Sequence, residues 1–122
     1  MATAKEDEMA GMVKFTCDGL TMNATLNDSK TAAEVVSKLP LEGLAQTSGA
    51  WVYFSVPFDL PEEDPKESVS AGAIAYWPAG TAICIFYGGQ PPTEVNVIGS
   101  LNGNAMQWRS VISGSTMKME KA

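Results

Sequence analysis

The chain has 122 residues, 45% of them apolar, with eight Lys and Arg against fourteen Asp and Glu and a net charge of −6. One domain fits this length and can bury a core without disulfide or metal staples, while the acidic balance repels phosphate backbones and so excludes nucleic acid as an expected partner. Histidine is absent, which removes the commonest general base and zinc ligand and with them Ser-His and Cys-His catalysis.

The first residues, MATAKEDEMAG (1–11), are charged and lack an apolar run. They read as a flexible N-terminal segment and not as a secretory signal. No stretch approaches the roughly 18 apolar residues of a membrane helix. The expectation is a cytoplasmic protein with no membrane partner, no metal and no cofactor. Cys17 and Cys84 lie in apolar stretches and read as reduced core thiols.

MVKFTCDGLTMNATL (12–26) alternates on both sides of Asp18-Gly19, a good turn dipeptide. Val13, Phe15 and Cys17 share one face, as do Leu20, Met22, Ala24 and Leu26, so a β-hairpin is expected. The period then changes. Ala32, Val35, Val36 and Leu39 recur at helical spacing. Asp28 is the expected cap and Pro40 the stop, giving a helix of about three turns.

After a break at Ser48-Gly49, Val52, Phe54 and Val56 fall on one strand face and Trp51, Tyr53 and Ser55 on the other. DLPEEDPKES (59–68) carries five acids around two prolines and reads as a solvated loop. It lacks the spaced Asp-x-Asp-x-Asp-Gly order of a calcium loop.

AYWPAGTAICIFYGG (75–89) reads as a second hairpin. Pro78 presets φ at its corner and Gly80 is free to take positive φ. Residues 82–87 are apolar on both faces, as in a central stave of a barrel under covering elements. The surplus also fits burial against a second subunit. Val95 to Leu101 form a strand in which Gly99 allows close backbone approach or a bulge. Ala105, Trp108 and Ile112 then recur at helical spacing before Ser113-Gly114. Met117 and Met119 alternate with Thr116, Lys118 and Glu120 in a last strand.

LNDSKTAAEVVSKLPLEG, VYFSVP, GAIAYWPAGTAICIFYG and VNVIGSLNG together resemble the small bacterial and archaeal cyclophilin-like proteins, a family of unknown function. The resemblance runs from about residue 12 to 120, nearly the whole chain. It implies a mainly β domain over 12–120: a closed cyclophilin-like β-barrel of seven or eight strands, with two short helices capping it. VNVIGSLNGNAMQWRSV is also similar to the strand–glycine–helix segment near the end of true cyclophilins. Three places depart from the family pattern: Gly49-Ala50-Trp51 replaces Gly-Asp-Glu, Gly72-Ala73 replaces Gly-Asp, and Gly88 to Thr93 replaces a Gly-Pro-Thr-Pro tail.

Prolyl isomerisation, with a barrier of about 20 kcal/mol, needs a cationic donor toward the prolyl nitrogen and an apolar bowl for the ring. True cyclophilins carry the arginine in a Phe-x-Arg-Val-Ile strand, followed by Phe-Met-x-Gln-Gly. Neither stretch occurs here, and Arg109, the sole arginine, falls in the C-terminal helical segment. Lys14 could supply a charge but lacks the planar donor fork.

Tyr53, Tyr76, Trp77, Phe86 and Tyr87 are the candidate ligand-binding residues, because tyrosine and tryptophan combine apolar area with a polar tip. Core packing is the competing role for each. The expected function is a non-catalytic binding module for a small ligand or an extended, proline-containing peptide in an aromatic-lined groove. The alternatives are a divergent peptidyl-prolyl isomerase and a structural homo-oligomer.

Overall fold

The computed structural model describes residues 11–60 and 64–122. Apart from Gly11, the expected flexible segment 1–11 lies outside the described residues, as do residues 61–63 of the acidic stretch.

Strands β1 (Met12–Cys17) and β2 (Leu20–Leu26) form the first hairpin, in register from Met12↔Thr25 to Cys17↔Leu20. Asp18 and Gly19 both have positive φ, 55° and 78°. Two such residues make the turn whose twist matches that of antiparallel strands. The buried face carries Val13, Phe15, Cys17, Met22, Ala24 and Leu26, as the alternation requires.

Helix α1 (Lys30–Ser37) follows, and Ser29 caps it, not Asp28. The Ser29 hydroxyl accepts a hydrogen bond from the Ala32 N–H at 3.1 Å. That N–H lies three residues on, within reach of Ser29; Asp28 stands one residue too early. With eight residues, α1 makes about two turns, not three. Ala32 and Val35 face the core and Val36 and Leu39 pack beside it.

Seven further strands complete the wall: β3 (Leu41–Leu44), β4 (Gln46–Ser48), β5 (Trp51–Ser55), β6 (Ala73–Trp77), β7 (Ala82–Phe86), β8 (Asn96–Leu101) and β9 (Thr116–Lys121). Their order is β3-β9-β1-β2-β8-β6-β7-β5-β4, every pairing antiparallel. The two ends of this sheet, β3 and β4, are successive pieces of one segment broken at Ala45. There the Ala45 N–H donates to Ser115 O and the Ala45 carbonyl accepts from the Gly114 N–H, both at 2.7 Å. Residues 41–48 thus bond to β9 with one half and to β5 with the other, which nearly closes the barrel. The count of nine, above the expected seven or eight, comes from these two short pieces. Glu42, Leu44 and all of β4 are exposed, so 41–48 shows no apolar alternation.

Gly99 meets its expectation. A Cβ there would run into Thr25 O and the Leu26 Cα, and the β6–β8 register skips Ile98 beside it, a bulge. Two other expectations need correction. At the second corner, Pro78–Gly80 form a 3₁₀ turn, and Thr81, not Gly80, has positive φ (48°). Gly80 is needed for space, since a Cβ would enter the Trp77 ring. Ala105–Ser110 is likewise a 3₁₀ segment. Three residues per turn align Ala105 with Trp108 but leave Ile112 outside the stripe; Trp108 is fully buried and Ile112 is 68% exposed.

The inside is filled by one main core that includes Phe15, Phe54, Ile74, Ile83, Ile85 and Trp108. Trp108 meets Phe15 edge-on at 6.1 Å and donates its indole N–H to Met22 Sδ at 3.3 Å. A second, smaller core lies on the outer side of the same wall, formed by Trp51, Ala73, Ala75, Cys84, Phe86 and Val95. It explains why β7 is apolar on both faces: Ile83 and Ile85 fill the barrel, while Cys84 and Phe86 are covered from outside. The chain itself buries that surplus.

Candidate functional site

The candidate aromatics divide between the two cores. Tyr76 and Tyr87 belong to the main core, where the Tyr87 hydroxyl donates to Gly49 O at 3.3 Å. Phe86 is fully buried in the outer core, and Tyr53 and Trp77 are half-buried against it. The hub of the outer rings is Trp51, which was not among the candidates. Its ring stacks on Phe86 at 5.3 Å, meets Trp77 edge-on at 5.3 Å and tilts over Tyr53 at 4.8 Å. Tyr53 and Trp77 meet edge-on at 5.7 Å. Such ring pairs contribute about 0.5–1.5 kcal/mol each beyond their burial. The polar tips are also engaged: Trp77 Nε1 donates to Thr93 Oγ1 at 2.7 Å and the Tyr53 hydroxyl to Gln46 Oε1 at 3.4 Å. The five side chains thus divide between the inner and the outer face of the wall.

Concave surface occurs instead along β8. One recess, of about 410 Å³, is lined by Asn27, Ser29 and Thr31 at the start of α1, by Asp64, and by Asn96 at the start of β8. A second, of about 380 Å³, lies between residues 66–71 and the strands, with Ala73, Gly99 and Ser100 opposite. Lys66 and Val97 line both, so the two recesses adjoin: the first is lined mostly by polar side chains but shows polar and apolar surface about equally, while the second is mostly apolar in surface and lined largely by small residues. None of the five candidate aromatics lines either.

Local bonding fixes this rim. Asn27 Nδ2 donates to Val97 O at 2.9 Å, and Asn27 Oδ1 accepts from Ser29 N at 3.1 Å and Ser29 Oγ at 2.5 Å. One side chain therefore ties the helix cap to β8. Across the recess, Asn96, 2% exposed, accepts the Asp64 N–H on its Oδ1 at 3.2 Å. Lys66 Nζ lies 3.2 Å from Asp64 Oδ2 with both side chains more than half exposed. Such an exposed pair contributes little to stability.

A cyclophilin-like family profile matches residues 11–120. The chain belongs to the cyclophilin-like family. Among solved structures, the barrel is similar to the solution structure of the hypothetical protein AF2241 from Archaeoglobus fulgidus, with 26% identity and a TM-score of 0.76 over 91% of this chain and 94% of that one. It is also similar to McbB, solved in complex with tryptophan, with 12% identity and a TM-score of 0.71 over 89% of this chain. This likeness is one of fold, and the cyclophilin-like chain matches only 44% of McbB's length. A search of curated proteins finds no significant match.

Within this cyclophilin-like barrel both thiols are free and buried. Burial pushes the Cys84 thiol far above its ordinary range. Cys17 is also raised, first by burial and then by the negative charge of Asp18. Arg109 is exposed on the 3₁₀ segment and lines neither recess. Among the described residues no group of three His, Cys, Asp or Glu could hold a metal ion, and no helix is long and apolar enough to cross a membrane. No sequence pattern singles out Lys66, Val97 and Ser100, which line these recesses. Lys66 sits in a charged loop stretch and Ser100 in an ordinary strand, and the recess arises only where that loop crosses β8.

Proposed function

We propose that this cyclophilin-like domain is a non-catalytic binding module that receives a short extended peptide in the paired recess along β8. The carrying observation is that a recess of mixed polarity and a mostly apolar one adjoin and share Lys66 and Val97. An elongated, open depression suits an extended chain better than a compact molecule, which favours an enclosed pocket. Ser68, Ser70 and Ser100, all exposed, offer hydroxyls to a peptide backbone, and Val97, Ala73 and Gly99 leave room for small apolar side chains. A binding role fits better than isomerisation because the single guanidinium, Arg109, stands away from this depression and the remaining cation there, Lys66, lacks a planar fork. The groove of this proposal is lined by small and polar groups, whereas the aromatic cluster serves as the packed shoulder beside it.

The test is calorimetric titration with a panel of blocked pentapeptides built from Ala, Val, Ser and Pro. Ser100→Trp, which places a ring over the apolar recess, is expected to weaken the best panel member at least tenfold while the melting temperature stays within a few degrees. Tyr53→Ala is expected to leave affinity within twofold. Binding that survives Ser100→Trp and is lost in Tyr53→Ala would move the site to the aromatic shoulder.

A further inference from the structure

The apolar recess has two unlike walls. One is the strand surface of Ala73, Val97 and Gly99, held by sheet pairing. The other is the 66–71 segment, which belongs to no strand. That segment meets the 88–95 loop at two points. Lys66 and Val95 exchange a reciprocal backbone pair, N–H to carbonyl at 2.8 and 2.9 Å. At the second point the partner is a side chain: Gln90 Oε1 accepts the Val69 N–H at 2.8 Å, and Gln90 Nε2 donates to Val69 O at 3.0 Å. The Gln90 amide thus takes the place that a neighbouring strand's peptide group would occupy. An exposed glutamine that spends both polar atoms on a single residue's backbone is placed for geometry and not for solubility. Its own loop is anchored beyond the recess, by Gly89 N–H to Ala50 O at 3.2 Å and by the Trp77–Thr93 bond at 2.7 Å.

We infer that Gln90 is the positioning residue of the recess: its side-chain amide fixes the 66–71 wall at the separation from β8 that a bound peptide needs. This rests on the peptide-binding reading above. Gln90 lines neither recess, so it acts through Val69. Without its amide, the exposed Val69 N–H and carbonyl turn to water with little loss of fold stability, but the wall must be ordered again each time a peptide binds. Ordering costs of that kind correspond to an affinity loss of about three- to tenfold.

Two readouts on the full chain test this. The first needs no ligand: amide exchange at Val69 in wild type and Gln90→Ala. Loss of Val69 protection, with Ile83 and Ile85 protection unchanged, is expected. Retained protection at Val69 would overturn the inference whatever the peptides do. The second is the affinity for the panel pentapeptide that binds wild type best. Gln90→Ala is expected to weaken it by about three- to tenfold at near-constant melting temperature. Gln90→Glu, whose carboxylate opposes Val69 O, is expected to be weak at neutral pH. It should recover relative to wild type as acidification protonates the carboxyl and restores a donor to Val69 O. Unchanged affinity in Gln90→Ala together with lost Val69 protection would overturn the positioning role. If wild type binds no panel peptide, the peptide-binding reading fails, and with it the positioning role, while the exchange data still decide whether Gln90 holds the wall.

Discussion

Gly80 shows how a residue's identity was legible while its reason was not. A glycine after Trp77-Pro78-Ala79 announces a corner, and the sequence suggests positive φ; the structure gives that conformation to Thr81 and lays the Trp77 ring where a Gly80 Cβ would sit. Gly80→Ala is therefore expected to displace the indole and destabilise the fold by about 1–3 kcal/mol, measured by denaturant unfolding, with a shift in tryptophan emission. Ring packing between residues three apart at a turn leaves no periodic trace in sequence. Cys84 was legible as a buried thiol, and burial carries a pH consequence. Because the folded chain holds this proton more tightly than the unfolded chain, the stability linked to it is intact below the ordinary thiol value of 9.0 and falls as pH rises beyond it. Cys84→Ala is expected to lower the neutral-pH plateau but to flatten the alkaline decline, read from melting temperatures between pH 7 and about pH 10.5.

Elements whose signals are local came through in the sequence. Asp18-Gly19 between two alternating runs specified the first hairpin down to its turn, because the side-chain period and the turn's φ demands point to the same register. The helix over 30–37 was visible from Ala32, Val35 and Val36, yet its cap was placed one residue early, since Asp28 and Ser29 are both good capping types. The two are separable by experiment. Ser29→Ala is expected to cost about 1 kcal/mol, through loss of the bond to the Ala32 N–H. Asp28→Ala should change the denaturant midpoint little. Equal effects of the two substitutions would contradict the assignment. Strands β3 and β4 were hidden for a different reason: with Leu44 exposed and all of β4 facing solvent, backbone pairing, of β3 with the distant β9 and of β4 with the adjacent β5, and not side-chain burial, makes them strands. The C-terminal segment misled by one position, because a 3₁₀ turn repeats every three residues and drops Ile112 from the row that Trp108 anchors.

At the scale of the whole molecule, closure explains what the sequence could and could not convey. Apolar alternation in β1, β2, β5 and β9 made strands legible, the resemblance to the cyclophilin-like proteins implied that they close into a barrel, and the double-faced β7 pointed to cover on both sides. The source of the outer cover was not legible, because Val69 follows the stretch read as a solvated loop and Val95, expected to open the strand 95–101, lies just outside it. The same crossing of loops over β8 creates the depression shared by Lys66 and Val97, which is why the aromatic residues, conspicuous in sequence, were the candidates and the small and polar ones were not. The outer rings stiffen the β5–β7–β6 wall and, through Trp77 and Thr93, anchor the loop that carries Gln90. Peptide binding along β8 is measured most directly by a map of backbone amide shifts on titration with the blocked pentapeptide panel. The largest changes are expected at Lys66, Val97 and Ser100, with Tyr53 and Gln46 nearly still; changes centred on Tyr53, Gln46 and Trp77, with β8 unmoved, would contradict peptide binding along β8.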